Sequence, residues 1–209
     1  MSQFDHPILL DSFEIIRRRI TPTGLSPAEE DVVVRIIHSS GDFSLLQHLR
    51  FSPSACTSGL TSLAQGSSII TDTRMATQAI KSMVCRTFQN KIFCILDFAP
   101  TVVDYPDTRS SVGMKIALDH YPNSIILVGS SPTALDPVVD FTSNNNLVLP
   151  LVIGMPVGFV GVSNSKKKLA QATSIPQIRL EGTRGGAGLA AATLNALLRR
   201  AWLDQPGNC

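Results

Sequence analysis

The chain has 209 residues, 44% of them apolar, and 18 Lys and Arg against 16 Asp and Glu leave a formal net charge of +2. That length suits one domain with a sizeable core, and the hydrophobicity argues against a disordered chain. Only 16% of residues are charged, against roughly 25% in an average soluble domain. The chain therefore lacks the clustered basic footprint of a nucleic-acid binder, and so sparse a surface charge fits a face covered by a partner.

Apolar residues at 9, 10, 13, 16 and 20 have helical spacing and predict a first helix over His6–Ile20. Thr21-Pro22-Thr23-Gly24 ends it. Three arginines follow this apolar run rather than precede it, the reverse of a secretory signal. Ser26-Pro27-Ala28-Glu29 reads as an N-cap, a first-turn proline and a capping box, opening a helix that runs to about His38 and stops at Gly41. Leu49–Phe51 is a short strand and Pro53–Ala64 a helix. Ser67–Asp72 is a strand, Arg74–Ile80 a short helix, and Ile92–Leu96 a buried strand. The loop Phe98–Arg109 leads to a helix over Ser110–His120.

Ser124–Val128 is the next strand, Pro132–Phe141 a helix, Leu147–Ile153 a strand, and Phe159–Ala172 partly helical. Leu147–Val162 is the longest apolar stretch, but Pro150, Gly154, Pro156, Gly158 and Gly161 interrupt it, so no spanning helix is expected. Ile175–Leu180 is a short strand and Gly186–Leu203 the last helix. In that helix Ala190, Leu194, Leu197, Leu198 and Ala201 supply the packing face, with Leu189, Thr193, Ala196 and Arg200 off it. Strands that alternate with helices and read as continuous apolar runs indicate a mostly parallel sheet covered on both faces. The expected fold is α/β: a single three-layer, Rossmann-like domain over residues 1–209 with a mostly parallel central sheet.

Cys56, Cys85, Cys94 and Cys209 form no CxxC pair and lack zinc-ligand spacing, so they read as reduced thiols of a cytosolic protein, with no metal site. Lys166-Lys167-Lys168 reads as solvated helix surface rather than a nucleic-acid patch, because no aromatics are interleaved.

In such a sheet, ligands bind beyond the carboxyl ends of the strands, near a switch in strand order. Four segments fall there: 70–74, 128–133, 153–160 and 181–188. Their small residues expose backbone N–H groups, which suit a ligand with several anionic groups. GxxxxGK[ST] and a first-turn dinucleotide signature are both absent, which leaves a nucleotide-using enzyme as the weaker reading. Tight turns and helix packing account for most of the glycines without any ligand.

Among the histidines, His6 and His120 are peripheral and His48 has no chemical context. His38 ends an apolar helix and is followed by Ser39-Ser40-Gly41-Asp42. Asp42 or a hydroxyl could orient one ring nitrogen and leave the other for proton transfer; the plainer alternative is a helix-capping histidine. There is no GxSxG elbow, and neither Cys85 nor Cys94 has an activating neighbour. Asp72 and Asp97 lie at strand ends, where they could bind a polar ligand or hold a loop. Arg109 and Arg184 could clamp carboxylates, since a guanidinium can donate two parallel bonds.

The segments RIIHSSGD at 35–42, IITDTRM at 69–75, SPTAL at 131–135, IGMPVGFVGVSNSK at 153–166 and GTRGGAGLAAATLNAL at 182–197, in this order, resemble the precorrin-8X methylmutase family over nearly the whole chain. The resemblance implies an isomerase that moves a methyl group from C-11 to C-12 of precorrin-8X, giving hydrogenobyrinic acid, or of its cobalt-containing counterpart, giving cobyrinic acid. It implies no redox cofactor and no methyl donor, because the methyl never leaves the substrate. It also implies a homodimer that binds the ring near the subunit interface, while the cysteines, the broken apolar runs and the low charge point to the cytoplasm, away from membranes and nucleic acid. Hand-over of product to a corrin-amidating enzyme is compatible with it.

His38 stands at the family's catalytic histidine, thought to protonate the conjugated ring as general acid. The residues expected against the substrate are Ser39, Asp42, Asp72, Arg74 and Arg109 on the earlier segments. Ser130, Thr133, Gly158, Arg184, Gly185 and Gly186 complete the expected set on the later ones. The chain departs from the family's common NAPTAL, ESK and GGS at Ser130-Ser131, Asn164 and Ala187. A tetrapyrrole carrier without turnover is the non-enzymatic alternative.

Overall fold

The computed structural model describes residues 4–20, 22–145 and 149–207. Thr21, Leu147 and Cys209 lie outside the described residues. The helices are α1 (Pro7–Ile20), α2 (Pro27–Ser40), α3 (Ala55–Ala64), α4 (Arg74–Arg86), α5 (Arg109–His120), α6 (Leu135–Asn145), α7 (Val162–Gln171) and α8 (Ala187–Leu203). The strands are β1 (Leu49–Phe51), β2 (Ile69–Thr71), β3 (Ile92–Cys94), β4 (Ile125–Val128), β5 (Val152–Gly154) and β6 (Gln177–Leu180). They form one sheet in the order β1-β6-β5-β4-β2-β3. Every pairing is parallel except that of edge strand β1 with β6.

The period of two along the strands builds the three layers. Ile69, Ile125, Leu127, Ile153, Ile178 and Leu180 face one core with α2, α3, α4 and α8, and α1 lies outside α2. Ile70, Ile126, Val128 and Val152 face the other, with α5, α6 and α7. The chain leaves β2 to make β3 on one side and returns to make β4 on the other. The switch in strand order therefore lies between β2 and β4.

Local signals set most boundaries. The Ser26 hydroxyl accepts the Glu29 amide, and the Glu29 carboxylate accepts the Ser26 amide, so the capping box forms as the spacing predicts. Gly41 closes α2 with φ 68°, a left-handed cap that favours glycine.

Four expectations are corrected. Helix α4 runs on to Arg86, because Met83 and Val84 continue the buried face begun by Ala76 and Ile80. Strand β3 ends at Cys94, and a 3₁₀ turn takes Ile95–Asp97. Strand β5 covers only Val152–Gly154; Leu149 and Leu151 are buried but flank Pro150, which has no N–H for a central ladder. Helix α8 is enclosed by the sheet and by α2, α3 and α4, so Thr193 and Ala196 are buried as well. The Thr193 hydroxyl then donates to the Leu189 carbonyl at 3.0 Å.

Candidate functional site

The carboxyl ends of the strands carry a belt of mutually bonded loops. Asp72, directly after β2, is fully buried. Its Oδ2 accepts the amides of Gly129, Ser130 and Ser131 at 3.0, 2.5 and 2.8 Å. The concavity at the switch point is thus filled by the chain's own carboxylate, and the amides of 129–131 are not vacant for a ligand. Burial pushes the Asp72 carboxyl up, against the pull of the three N–H donors. Asp72 thereby holds the 129–131 loop.

The next turns are joined by main-chain bonds. Val157 donates to Gly129 O at 3.2 Å, Gly158 to Thr183 O at 3.1 Å, and Gly186 to Met155 O at 2.9 Å. Gly185 passes so close to Met155 that a Cβ would lie 2.1 Å from its carbonyl oxygen, so packing accounts for this glycine. Arg184 reaches back across the belt: its Nη1 donates to Ser44 Oγ at 2.6 Å and lies 3.2 Å from the Asp42 carboxylate. The Asp42 carboxyl is held below its usual range by the Ser44 hydroxyl and amide, and further by Arg184.

Asp42 therefore does not orient His38, as its spacing had suggested. The Ser39 and Ser40 hydroxyls do not either; they donate to Arg35 O and Ile36 O of their own helix. What touches the imidazole is aromatic: the Phe13 ring meets it edge-on at 5.4 Å between centroids. The same Phe13 ring carries the guanidiniums of Arg35 and Arg199 at 5.8 and 5.7 Å. Partial burial, and then the charge of Arg35, lower the His38 pKa from 6.5. His38 opens on a shallow cavity of about 230 Å³ with Ile15, Ile16, Arg19, Ile37 and Phe43 among its walls.

The remaining sequence-predicted residues scatter along the belt. Arg74 pairs with Asp97 at 2.7 Å, and Arg109 donates to Pro100 O at 3.0 Å. Thr133 shares a hydroxyl bond of 2.8 Å with Thr108, the N-cap of α5. The structure brings Asp42 to Arg184, Asp72 to Ser130, and Gly158 to the 182–186 turn. No described contact joins Arg74 or Arg109 to His38.

Sequence reading missed Arg35 and Lys166. Arg35 lies one turn before His38, a spacing that places side chains on one helix face. Lys166 was expected on solvated surface with its two neighbours, but it is 3% exposed, and its Nζ donates to Gly182 O at 2.8 Å and Arg184 O at 2.7 Å. Burial pulls its pKa down from 10.5 to about 8. Lys168 does face outward, bridging Asp136 and Asp140. Cys56 and Cys94 are buried and Cys85 is exposed; burial pushes the Cys56 thiol up to about 12, away from the thiolate form. No helix among the described residues is long and apolar enough to cross a membrane.

The precorrin-8X methylmutase family model matches residues 7–200. A cobalt-precorrin-8 methylmutase of Synechocystis sp. is 40% identical, covering 98% of this chain and 100% of the relative. The Pseudomonas aeruginosa precorrin-8X methylmutase is 33% identical, covering 91% of this chain and 93% of the relative. The crystal structure of a Thermus thermophilus precorrin-8X methyl mutase superposes with a TM-score of 0.83 at 35% identity, covering 93% and 95% of the two chains. The chain belongs to the precorrin-8X methylmutase family, whose members are isomerases of cobalamin biosynthesis.

Proposed function

We propose that this chain moves the methyl group of precorrin-8X, or of cobalt-precorrin-8, from C-11 to C-12, giving hydrogenobyrinic or cobyrinic acid. The observation that carries the chemistry is the His38 imidazole, set at the mouth of an apolar cavity at the end of α2. Through Gly41–Ser44 and Arg184 that helix end joins the belt of strand-end loops. A corrin precursor has an apolar ring and a rim of carboxylates. Ile15, Ile16 and Phe43 suit the ring, while Arg184 and the backbone N–H groups of the 182–185 turn suit the rim.

His38 acts as general acid. A proton placed on the conjugated ring draws electron density toward the migration site and promotes the shift. The reaction is an isomerisation, so a proton leaves the ring as the product's conjugation forms, and the imidazole that gave one is placed to take it. The methyl stays on one molecule throughout, so the balance needs no methyl donor and no oxidant or reductant.

One domain spans the chain, and two chains complete the site. A cavity of about 230 Å³ is smaller than the several hundred cubic ångströms of an ordinary ligand pocket, and a tetrapyrrole is larger than most such ligands. Ile15, a wall of the His38 cavity, is 54% exposed on α1, and Ile8, two turns earlier on the same helix, is 69% exposed. Phe159 and Val160 are exposed at the tip of the β5–α7 loop. A second copy over these residues would enclose the ring. The enzyme works in the cytoplasm, and its product passes to a corrin-amidating enzyme.

The test is turnover of metal-free and cobalt-loaded substrate by the purified protein, followed by absorption. Ring binding without rearrangement of either substrate would convert this reading to that of a carrier. Nucleotide binding at a glycine turn would favour the nucleotide-using alternative.

A further inference from the structure

The turn between β6 and α8 has an unusual division of its polar groups. Its ends are fixed by main-chain bonds: Glu181 donates to His48 O at 2.9 Å, and Gly186 to Met155 O at 2.9 Å. Between them, three successive carbonyls point to donors of the protein. Gly182 O and Arg184 O take the Lys166 ammonium, and Thr183 O takes the Gly158 amide. The amides of Gly182, Thr183, Arg184 and Gly185 have no acceptor among the described residues. Gly182, Thr183 and Arg184 are exposed.

One buried side chain therefore holds the inner face of the turn. An ammonium carries three donors and no acceptor, so it can bind carbonyls but never amides. In a trans peptide each carbonyl opposes the amide of the next residue, so carbonyls drawn inward at 182–184 turn the amides of 183–185 the other way, where they can meet carboxylate oxygens. No carboxylate is bonded to Lys166 among the described residues. A lysine buried without an ion-pair partner costs stability through desolvation, so its placement calls for a role beyond packing.

We propose that Lys166 is a positioning residue for the substrate rim: it draws the Gly182 and Arg184 carbonyls inward, which sets the outward amides of 183–185 and the reach of Arg184 toward Asp42. The part concerning substrate rests on the corrin-ring reading above, while the part concerning the loop does not. Lys166 itself touches no substrate in this arrangement. Its effect passes through the main chain, and through Arg184 it extends to the segment directly after the His38 helix.

Lys166→Met keeps the length and apolar stem of the side chain and deletes both bonds. Amide hydrogen exchange at Gly158 and Gly186, whose bonds cross this turn, should rise about tenfold, the change expected for losing about one net hydrogen bond. Exchange at Ile126 in the central strand, bonded to Leu151 O at 2.9 Å, reports global stability, and the rise at Gly158 and Gly186 is read relative to it. With precorrin-8X or its cobalt form as substrate, KM should rise about tenfold while kcat falls less than about threefold, the signature of lost uniform binding.

Wild-type exchange at both Gly158 and Gly186 in the variant overturns the proposal. Faster exchange with unchanged KM overturns it too, because Lys166 would then be a structural staple alone. Lys166→Gln, which can still donate to one carbonyl, should fall between wild type and Lys166→Met and serves if the methionine variant does not fold. A wild-type protein without turnover on either substrate would refute the proposed function instead, and the exchange data would still decide the hold of Lys166 on the loop.

Discussion

Arg35 stands one turn before His38 on α2, and both side chains meet the ring of Phe13. The imidazole is held below its ordinary pKa of 6.5 by partial burial first and by this guanidinium second. An acid works from its protonated form, so turnover that depends on His38 should fall as pH rises through that depressed value. Arg35→Met removes a positive charge, raises the imidazole pKa and moves the falling limb to higher pH. The pH profile of kcat/KM and an NMR titration of the imidazole should move together. A limb that stays in place in the variant removes Arg35 from the account.

The His38 side chain is exposed and makes no hydrogen bond among the described residues, so its removal should spare the fold. His38→Ala should lower the rearrangement rate by about 10²–10⁴-fold, the usual worth of a positioned general acid. Binding of hydrogenobyrinic acid should persist. Thermal unfolding should shift by no more than about 2 °C, as for other exposed substitutions in a chain of this size. Unchanged turnover in the folded variant would refute the acid role.

Asp72 predicts a stability effect. Asp72→Ala leaves three N–H groups at the β2–β4 switch without their acceptor, at a cost of about 3 kcal/mol. At about 2–4 °C per kcal/mol, the midpoint should fall by roughly 6–12 °C. Asp72→Asn keeps one acceptor oxygen at the same place and should lose less than half as much. Equal losses in the two variants would show that the amides of 129–131 do not depend on that oxygen.

Lys166 supplies a pH dependence with a definite sign. Its folded-state pKa is lowered from 10.5 to about 8, so between these values the unfolded chain binds more protons than the folded one. Stability from this group therefore rises with pH across that window. The penalty for holding the ammonium is fully present below pH 8. Relative to Lys166→Met, the wild-type protein should gain about 1 kcal/mol between pH 7 and pH 9 in urea unfolding. A constant difference between the two proteins would mean that Lys166 does not titrate in this range.

Much of the fold was legible because its signals are local. The Ser26–Glu29 box and Gly41 bound α2 where spacing placed it, and the apolar runs of β2 and β4 fall where expected. The errors had two sources, a local break passed over and a distant segment that overrode the local pattern. Pro150 interrupts an apolar run that has no other break before Gly154. Thr193 and Ala196 were read as outward because the sequence around them does not reveal that α2, α3 and α4 all close on α8.

By itself the sequence determined the alternation of helices and strands, the place of His38 at a helix end, and the membership in an isomerase family. Periods of 3.6 and 2, caps and punctuating residues are written within a few positions of where they act. Only the tertiary structure decided which polar group meets which. Asp72 fills the concavity of the 129–131 turn that glycine and serine spacing had offered to a ligand. Lys166, one of three consecutive lysines, turns inward onto carbonyls of the 182–184 turn, while Lys168 turns outward to carboxylates. The partners of a buried charge come from strands ordered by crossovers, and nothing in the local spacing of residues records that order.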